Sequence, residues 1–294
     1  MNAEGKHPPA APLTGTLFVV GTPIGNLEDI TLRALRILRE ADLIAAEDTR
    51  QTRKLLSHYD VHTPLVSYHE HNKRSRTPQL TAKLKGGTRV ALVSDAGMPG
   101  ISDPGQELIA SAIKGGIEVT VIPGPNSIIS ALVLSGLSTD MFCFLGFPPR
   151  KTGERRRFVE DALQRRETSI MFESPARLVA LLEMIASLAP DRKIVVAREL
   201  TKKFEQVLRG TATELLTHFL ETPPRGEFVV LTEGAAHAAH AREQFSPADA
   251  PELVKSLMAE EGLGKKEAMR EAAKRLGVSR REVYRALLES EEKR

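Results

Sequence analysis

Hydrophobic and polar positions fall in blocks along this chain. TLFVVG (16–21), DLIAAE (42–47), RVALVSD (89–95) and EVTVIPG (118–124) are short apolar runs, and each predicts a buried strand. Between them lie stretches of helical period. Residues 28–41 carry Leu32, Leu35, Ile37 and Leu38 as an apolar face, and further helices are predicted at 49–58, 72–85, 103–114 and 126–136. Strands alternating with helices predict an N-terminal α/β domain over 15–136 with a mainly parallel sheet.

The same logic predicts a second α/β domain over 137–234. MFCFLGF (141–147), TSIMFE (168–173), KIVVARE (193–199), FEQVLRG (204–210) and EFVVLTEG (227–234) read as strands, with helices at 176–188 and 211–220. Residues 1–14, rich in Pro and Ala, read as a loose tail, and 235–250 has the composition of a linker. The last segment, 251–294, predicts helices at 251–261, 265–275 and 280–290. Within it KKEAMREAAKRLGVSRREVYRALL has the pattern of a helix-turn-helix. Ala268, Ala272 and Leu276 would pack inside, Gly277 would take the turn, Val278 would be buried and Ser279 would cap the next helix. Arg280, Arg281 and Arg285 would lie on or near an exposed face.

Composition narrows the class. Of 294 residues, 41% are hydrophobic and 27% charged, which excludes a largely disordered chain. Aromatics are 4% with no Trp, so a stacking platform for single strands is not the main device. The longest apolar stretch, 128–134, is far short of a membrane helix, and the N-terminus lacks the apolar core of a secretory signal. A cytoplasmic protein with no membrane partner is expected. The single cysteine, Cys143, excludes a disulfide within the chain and disfavours a Cys-based metal site. His237 and His240 are three residues apart but have no further ligand nearby, so no metal is expected.

Charge adds a direction. The net charge is +3, but cations cluster. Lys73, Arg74, Arg76, Lys83, Lys85 and Arg89 occur over 73–89 without an acidic residue. Arg150, Lys151, Arg155, Arg156 and Arg157 follow GFPP, with Glu154 among them. Such clusters suit phosphates. They also suit a carboxylated small molecule, and the helix-turn-helix segment favours nucleic acid over that alternative.

The candidate chemistry lies where strands end. GTPIGN (21–26), SDAGMPGISDPG (94–105), PGPNS (123–127), FESPAR (172–177), ARELTK (197–202) and PRGEFVV (224–230) are loops rich in Gly, Pro or polar residues. Ligands of open α/β sheets bind at such carboxyl ends. There is no GxGxxG, Walker A, HExxH or GxSxG pattern, which disfavours a Rossmann dinucleotide site, a P-loop hydrolase, a zincin and an α/β-hydrolase.

GTPIGNLEDIT (21–31), AEDTRQTRKLL (46–56), SDAGMPGISDPG, PGP (123–125), FESPAR, ARELTK and GEFVVL (226–231) resemble, in order, the motifs of the tetrapyrrole-methylase-like superfamily. The likeness covers 15–234 and is most specific to its branch of small-subunit ribosomal RNA methyltransferases. It implies an α/β, two-domain tetrapyrrole-methylase-like fold with a C-terminal helix-turn-helix module, S-adenosylmethionine in the cleft between the domains, and a homodimer. It further implies 2′-O-methylation of a cytidine in the decoding centre of 16S rRNA within the small ribosomal subunit. Carried over by motif, Pro23 would line the cleft floor. Asp95, Ala96, Gly97, Ile101 and Ser102 would wrap the methionine and ribose parts, with Ser127 after the PGP turn. Phe172, Leu200, Gly226 and Glu227 would enclose the adenine. The chain departs from the family pattern at Met98 (usually Thr), at Asn126 and Ser127 (usually small residues) and at Ala176 (often His).

On the acceptor side, Asp48, Arg50, Glu173 and Lys202 are the catalytic candidates, with Arg177 and Glu199 beside them. A carboxylate there would take or orient the hydroxyl proton, and the cations would hold flanking phosphates. Nothing in the residues selects one base. Two other readings stay open at this point: a tetrapyrrole C-methyltransferase on the same fold, and a non-catalytic nucleic-acid-binding regulator that senses a small ligand.

Overall fold

The computed structural model describes residues 15–235, 250–260, 263–276 and 280–292. The first sheet is wholly parallel. It contains β1 (Thr16–Val20), β2 (Leu43–Ala46), β3 (Leu65–Ser67), β4 (Val90–Val93) and β5 (Glu118–Ile122), in the order β3-β2-β4-β1-β5. α1 (Leu32–Glu40) and α2 (Thr49–His58) cover one face, where Leu38, Ile44 and Val93 are buried together. α3 (Lys73–Lys85) and α4 (Gln106–Lys114) cover the other, over Leu17, Leu92 and Leu108. The central strands β2 and β4, buried on both faces, appear for that reason as unbroken apolar runs.

The chain leaves β1 toward one edge and returns through β4 toward the other. The direction therefore reverses between β4 and β1, at the centre of the sheet. A crevice opens at such a reversal because the two following loops diverge.

The second sheet is mixed. β6 (Phe142–Phe144), β7 (Thr168–Glu173), β8 (Lys193–Arg198), β9 (Gln206–Thr211) and β10 (Phe228–Thr232) lie in the order β6-β7-β10-β8-β9. Only β6 and β7 run parallel; β10 runs antiparallel to both neighbours, and β9 to β8. α6 (Thr152–Gln164), α7 (Pro175–Leu188) and α8 (Ala212–Glu221) pack on one face. On the other lies α5 (Ser127–Ser135), whose Ile128, Ala131 and Leu132 share a core with Ile24, Ile170, Val195 and Leu231. Asn126 caps α5 by accepting the N–H groups of Ile128 (2.9 Å) and Ile129 (3.1 Å).

α9 (Ala250–Glu260), α10 (Lys265–Leu276) and α11 (Arg280–Glu292) form the C-terminal helices. Val254, Leu257, Ala268, Ala272, Val283 and Leu287 bury one another, so this segment has its own core. Ala268 and Ala272 lie inside it, and Arg280 and Arg285 are exposed. The positions expected for Gly277, Val278 and Ser279, the side chains of Leu276 and Arg281, and the His237–His240 spacing lie outside the described residues, as do residues 1–14.

Several elements differ from the sequence expectation. β3 and α6 are additional, and α1 starts at Leu32 because Thr31 accepts the N–H of Ala34 as its cap, leaving Leu27–Asp29 as a 3-10 turn. Likewise α4 starts only at Gln106, since Pro104 and Gly105 keep Asp103 in the preceding loop. Among the described residues no helix is long and apolar enough to cross a membrane.

Candidate functional site

The loops after β1 and β4 are stitched together at the reversal point. Thr22 N–H donates to Gly97 O (2.9 Å), Gly97 N–H donates to Thr22 O (3.1 Å), and the Thr22 hydroxyl donates to Ser94 O (3.1 Å). Gly97 has φ +80°, a conformation suited to glycine. The loops after β1 and β5 touch backbone to backbone: a Cβ on Gly21 would lie 2.8 Å from Gly124 Cα.

These loops face the carboxyl ends of β7 and β8 and the entry to β10 across a cavity of 380 Å³. Its apolar lining includes Ile24, Phe147, Phe172, Leu200, Phe228 and Val229. Its polar lining includes Ser102, Asp103, Ser127, Glu173, Glu199 and Glu227. Phe172 stacks at an angle against Phe144 (centroids 4.9 Å) and Phe147 (5.4 Å), forming an aromatic wall. Ser102, Glu199 and Thr201 have φ of +61°, +48° and +65°. They are three of the four non-glycine residues with positive φ among the described residues, and all three lie in this cavity's loops. Backbone strain held at loops around a cleft is typical of a functional site.

The carboxylates on the second-domain side are tied. Lys202 Nζ donates to Glu199 Oε1 (3.1 Å) and Glu227 Oε2 (2.8 Å). Burial alone would raise the Glu199 carboxyl, but the Glu227 N–H and Lys202 outweigh it and hold it below its ordinary value. Burial likewise works against the Lys202 ammonium, and its two carboxylate partners lift it above the ordinary lysine range. Glu173 is fully buried; Oε1 accepts the Ser174 N–H (2.8 Å) and Oε2 lies 3.2 Å from Arg177. Arg177 in turn donates to the carbonyls of Pro148 and Pro149, so it orders the loop before α6.

A second cavity of 480 Å³ adjoins the first and is lined by Glu47, Glu70, Lys73, Ser102, Asp103 and Glu107 among others. Burial, with Asp95 nearby, pushes the Glu47 carboxyl up. Burial and Glu47 push Asp103 up to about 7, with Asp95 and Glu227 adding and the Ser94 hydroxyl opposing. Among the described residues no His, Cys, Asp or Glu group is arranged to hold a metal ion.

The sequence candidates divide by position. Ala96, Ser102, Ser127, Phe172, Glu173, Leu200, Gly226 and Glu227 line the main cavity. Gly97 and Ile101 line a smaller recess beside it. Pro23 is buried, and its neighbour Ile24 supplies the cavity wall. Asp95 is exposed, and its Oδ1 accepts the Asp48 N–H (2.9 Å). Asp48 caps α2 and pairs with Arg50 (3.3 Å), whose N–H and guanidinium hold the Asp48 carboxyl below its ordinary value. Neither Asp48 nor Arg50 lines the cavity, and Lys202 fronts an open groove with His58, Thr201 and Lys203. Glu47, Asp103, Phe147 and Phe228 are the residues that sequence reasoning passed over. Glu47 and Asp103 lay within the quoted motifs, and the parallel register of β2 and β4 brings their loops together.

The model of the family described as Tetrapyrrole (Corrin/Porphyrin) Methylases matches residues 16–216. The chain belongs to this family. Among similar tetrapyrrole methylase family proteins is a ribosomal RNA small subunit methyltransferase I of Halalkalibacterium halodurans, 47% identical over 92% of this chain and 93% of that one. One of the same name from Synechocystis is 46% identical over 94% and 99%. Solved structures of the fold include a uroporphyrin-III-C-methyltransferase from Thermus thermophilus (TM-score 0.54, 22% identity, 78% of this chain and 98% of that chain). A diphthine synthase aligns with TM-score 0.56 at 15% identity, over 74% and 89%.

As a tetrapyrrole methylase family enzyme the protein uses S-adenosylmethionine, and the cavity suits it. An aromatic wall of Phe172 and Phe147 matches a purine ring. The acidic rim would offset the sulfonium and ammonium charges of the cofactor. The absence of a side chain at Gly226 (φ +90°) leaves Glu199 its place: a Cβ there would lie 2.5 Å from Glu199 Oε1.

Proposed function

We propose that this protein methylates 16S ribosomal RNA of the small subunit, at the ribose 2′-oxygen of a cytidine in the decoding centre. The observation that carries this reading is identity of 47% across nearly the whole of a relative named for small-subunit ribosomal RNA methylation. The choice of 2′-oxygen and cytidine rests on the motif resemblance described above.

S-adenosylmethionine, when bound, supplies a methyl group on a sulfonium, open to displacement by an oxygen in line. The chain's own residues orient the partners and exclude water. Ile24, Leu200 and Phe172 would enclose the donor, and Lys202 keeps Glu199 and Glu227 at the rim. Holding donor and acceptor in line supplies several kcal/mol of the barrier, about 7–11 kcal/mol at best. The cation clusters would hold the RNA backbone, but not every member is free for it. Lys73 is bridged to Glu70 (2.8 Å) and Glu107 (3.0 Å), Arg89 to Asp42 (3.0 Å), and Arg156 to Glu160 (2.8 Å). Exposed Arg74, Lys83, Lys85, Arg150 and Arg157 are better placed for phosphates.

The reading includes a cytoplasmic homodimer. The dimer is supported by exposed apolar side chains along β5 and α5, namely Val121, Ile129 and Val133. The test is transfer of labelled methyl from S-adenosylmethionine to unmodified small subunits, with uroporphyrinogen in parallel. Label at a ribose 2′-oxygen of a cytidine supports the reading. Label only on the porphyrinogen, or at a base or carbon atom, overturns it.

A further inference from the structure

We infer that Asp103 is the proton acceptor of the methyl transfer, and that the acceptor ribose reaches it through the cavity beyond the cofactor site. This inference rests on the reading above.

Four carboxylates line the main cavity: Asp103, Glu173, Glu199 and Glu227. Three are committed to cations, Glu173 to Arg177 and the other two to Lys202. Among the described residues Asp103 alone of the four has no Lys or Arg in ion-pairing distance. The one cation lining the adjoining cavity, Lys73, is held between Glu70 and Glu107. Asp103 also lines both the 380 Å³ cavity and the 480 Å³ cavity, so its carboxyl stands where two ligands would meet. The preceding residue, Ser102, is held at φ +61°, which fixes the loop that presents it.

The environment matches the task. The groups facing Asp103 are Glu47 from the end of β2, Asp95 from the end of β4 and Glu227 from the second domain, all acidic, with the Ser94 hydroxyl opposing. His69 bears on Glu47 and slightly offsets its upward shift. Half-buried among like charges, the carboxyl is pushed up to about 7. A base poised near the working pH combines availability with driving force. In the step, the ribose 2′-oxygen bonds to the methyl carbon as the carbon–sulfur bond breaks. The bonding pair stays on sulfur, which becomes a neutral thioether, and the hydroxyl proton passes to Asp103. Glu47 and the second cavity then offer that proton a path to solvent.

The experiment compares wild type, Asp103→Asn and Glu47→Gln in single-turnover methylation of small subunits across pH, with calorimetric S-adenosylmethionine affinity and carbon NMR titration of the free protein. Wild type should rise with pH to an inflection near 7. Asp103→Asn should lose about 10²–10⁴-fold in rate and lose the inflection. Its cofactor affinity should fall far less than its rate at saturating cofactor, and the carboxyl resonance titrating near 7 should vanish. Glu47→Gln should move both inflection and resonance to lower pH. Wild-type rate and profile in Asp103→Asn would overturn the inference, as would a loss of cofactor affinity that accounts for the whole loss of rate. An inactive wild type would overturn it together with the reading beneath it, and is distinguished by the wild-type control alone.

Discussion

Gly226 holds the second-domain side of the cavity in place by lacking a side chain. Its φ of +90° disfavours any other residue, and a Cβ would meet the Glu199 carboxylate. Gly226→Ala should strain the loop by about 1–3 kcal/mol. It should also displace Glu199 from Lys202, lowering S-adenosylmethionine affinity about tenfold or more in calorimetry. Asp103 has the opposite character, a side chain kept at a cost to the fold. Its folded-state value of about 7 lies above the ordinary 3.8. Stability from its protonated form is therefore complete below 3.8 and is lost as pH rises through 7. Asp103→Asn should raise the melting temperature above pH 7, with the gain shrinking as pH falls toward 3.8. Neither role could be read from the residues alone. The sequence marks SDAGMPGISDPG as special, and the short spacings of Glu173 to Arg177 and Glu199 to Lys202 allow those pairs, but the gathering of Asp103, Glu47, Asp95 and Glu227 around one cavity comes only from the fold.

At the scale of elements, α5 shows how a departure from a family pattern can be structural. Asn126, which the motif resemblance marks as a departure, caps two N–H groups of the helix. Asn126→Ala should cost about 0.5–2 kcal/mol in urea unfolding, with little effect on cofactor binding. The first sheet was legible because its central strands β2 and β4, buried on both faces, are continuous apolar runs between amphipathic helices. The three residues of β3 are too few to show a period, and α6 reads as charge rather than as a helix because its outer face is Arg-rich. The antiparallel order of the second sheet was not legible at all. β10 inserts between β7 and β8 through pairings across the chain, such as Val229 with Phe172 and Ala197, that no local pattern encodes.

At the scale of the whole molecule, the catalytic sheets and the C-terminal helices have separate cores. Removing residues 241–294 should therefore leave cofactor affinity intact while weakening binding to small subunits, measured by filter retention across a salt series. The two sheets, by contrast, are not separable. Ile24 from the first loop, Ile128 and Leu132 of α5, and Ile170, Val195 and Leu231 of the second sheet bury one another. Parting the sheets like jaws would bring that shared interior into water, so ligands must enter and leave by motion of the rim loops alone. Amide exchange should then find the protected hydrogens of β4 and β10 opening with one common free energy, as a single cooperative unit. A ligand seated in the cleft should slow exchange in both sheets by the same factor, including at amides remote from any contact with it.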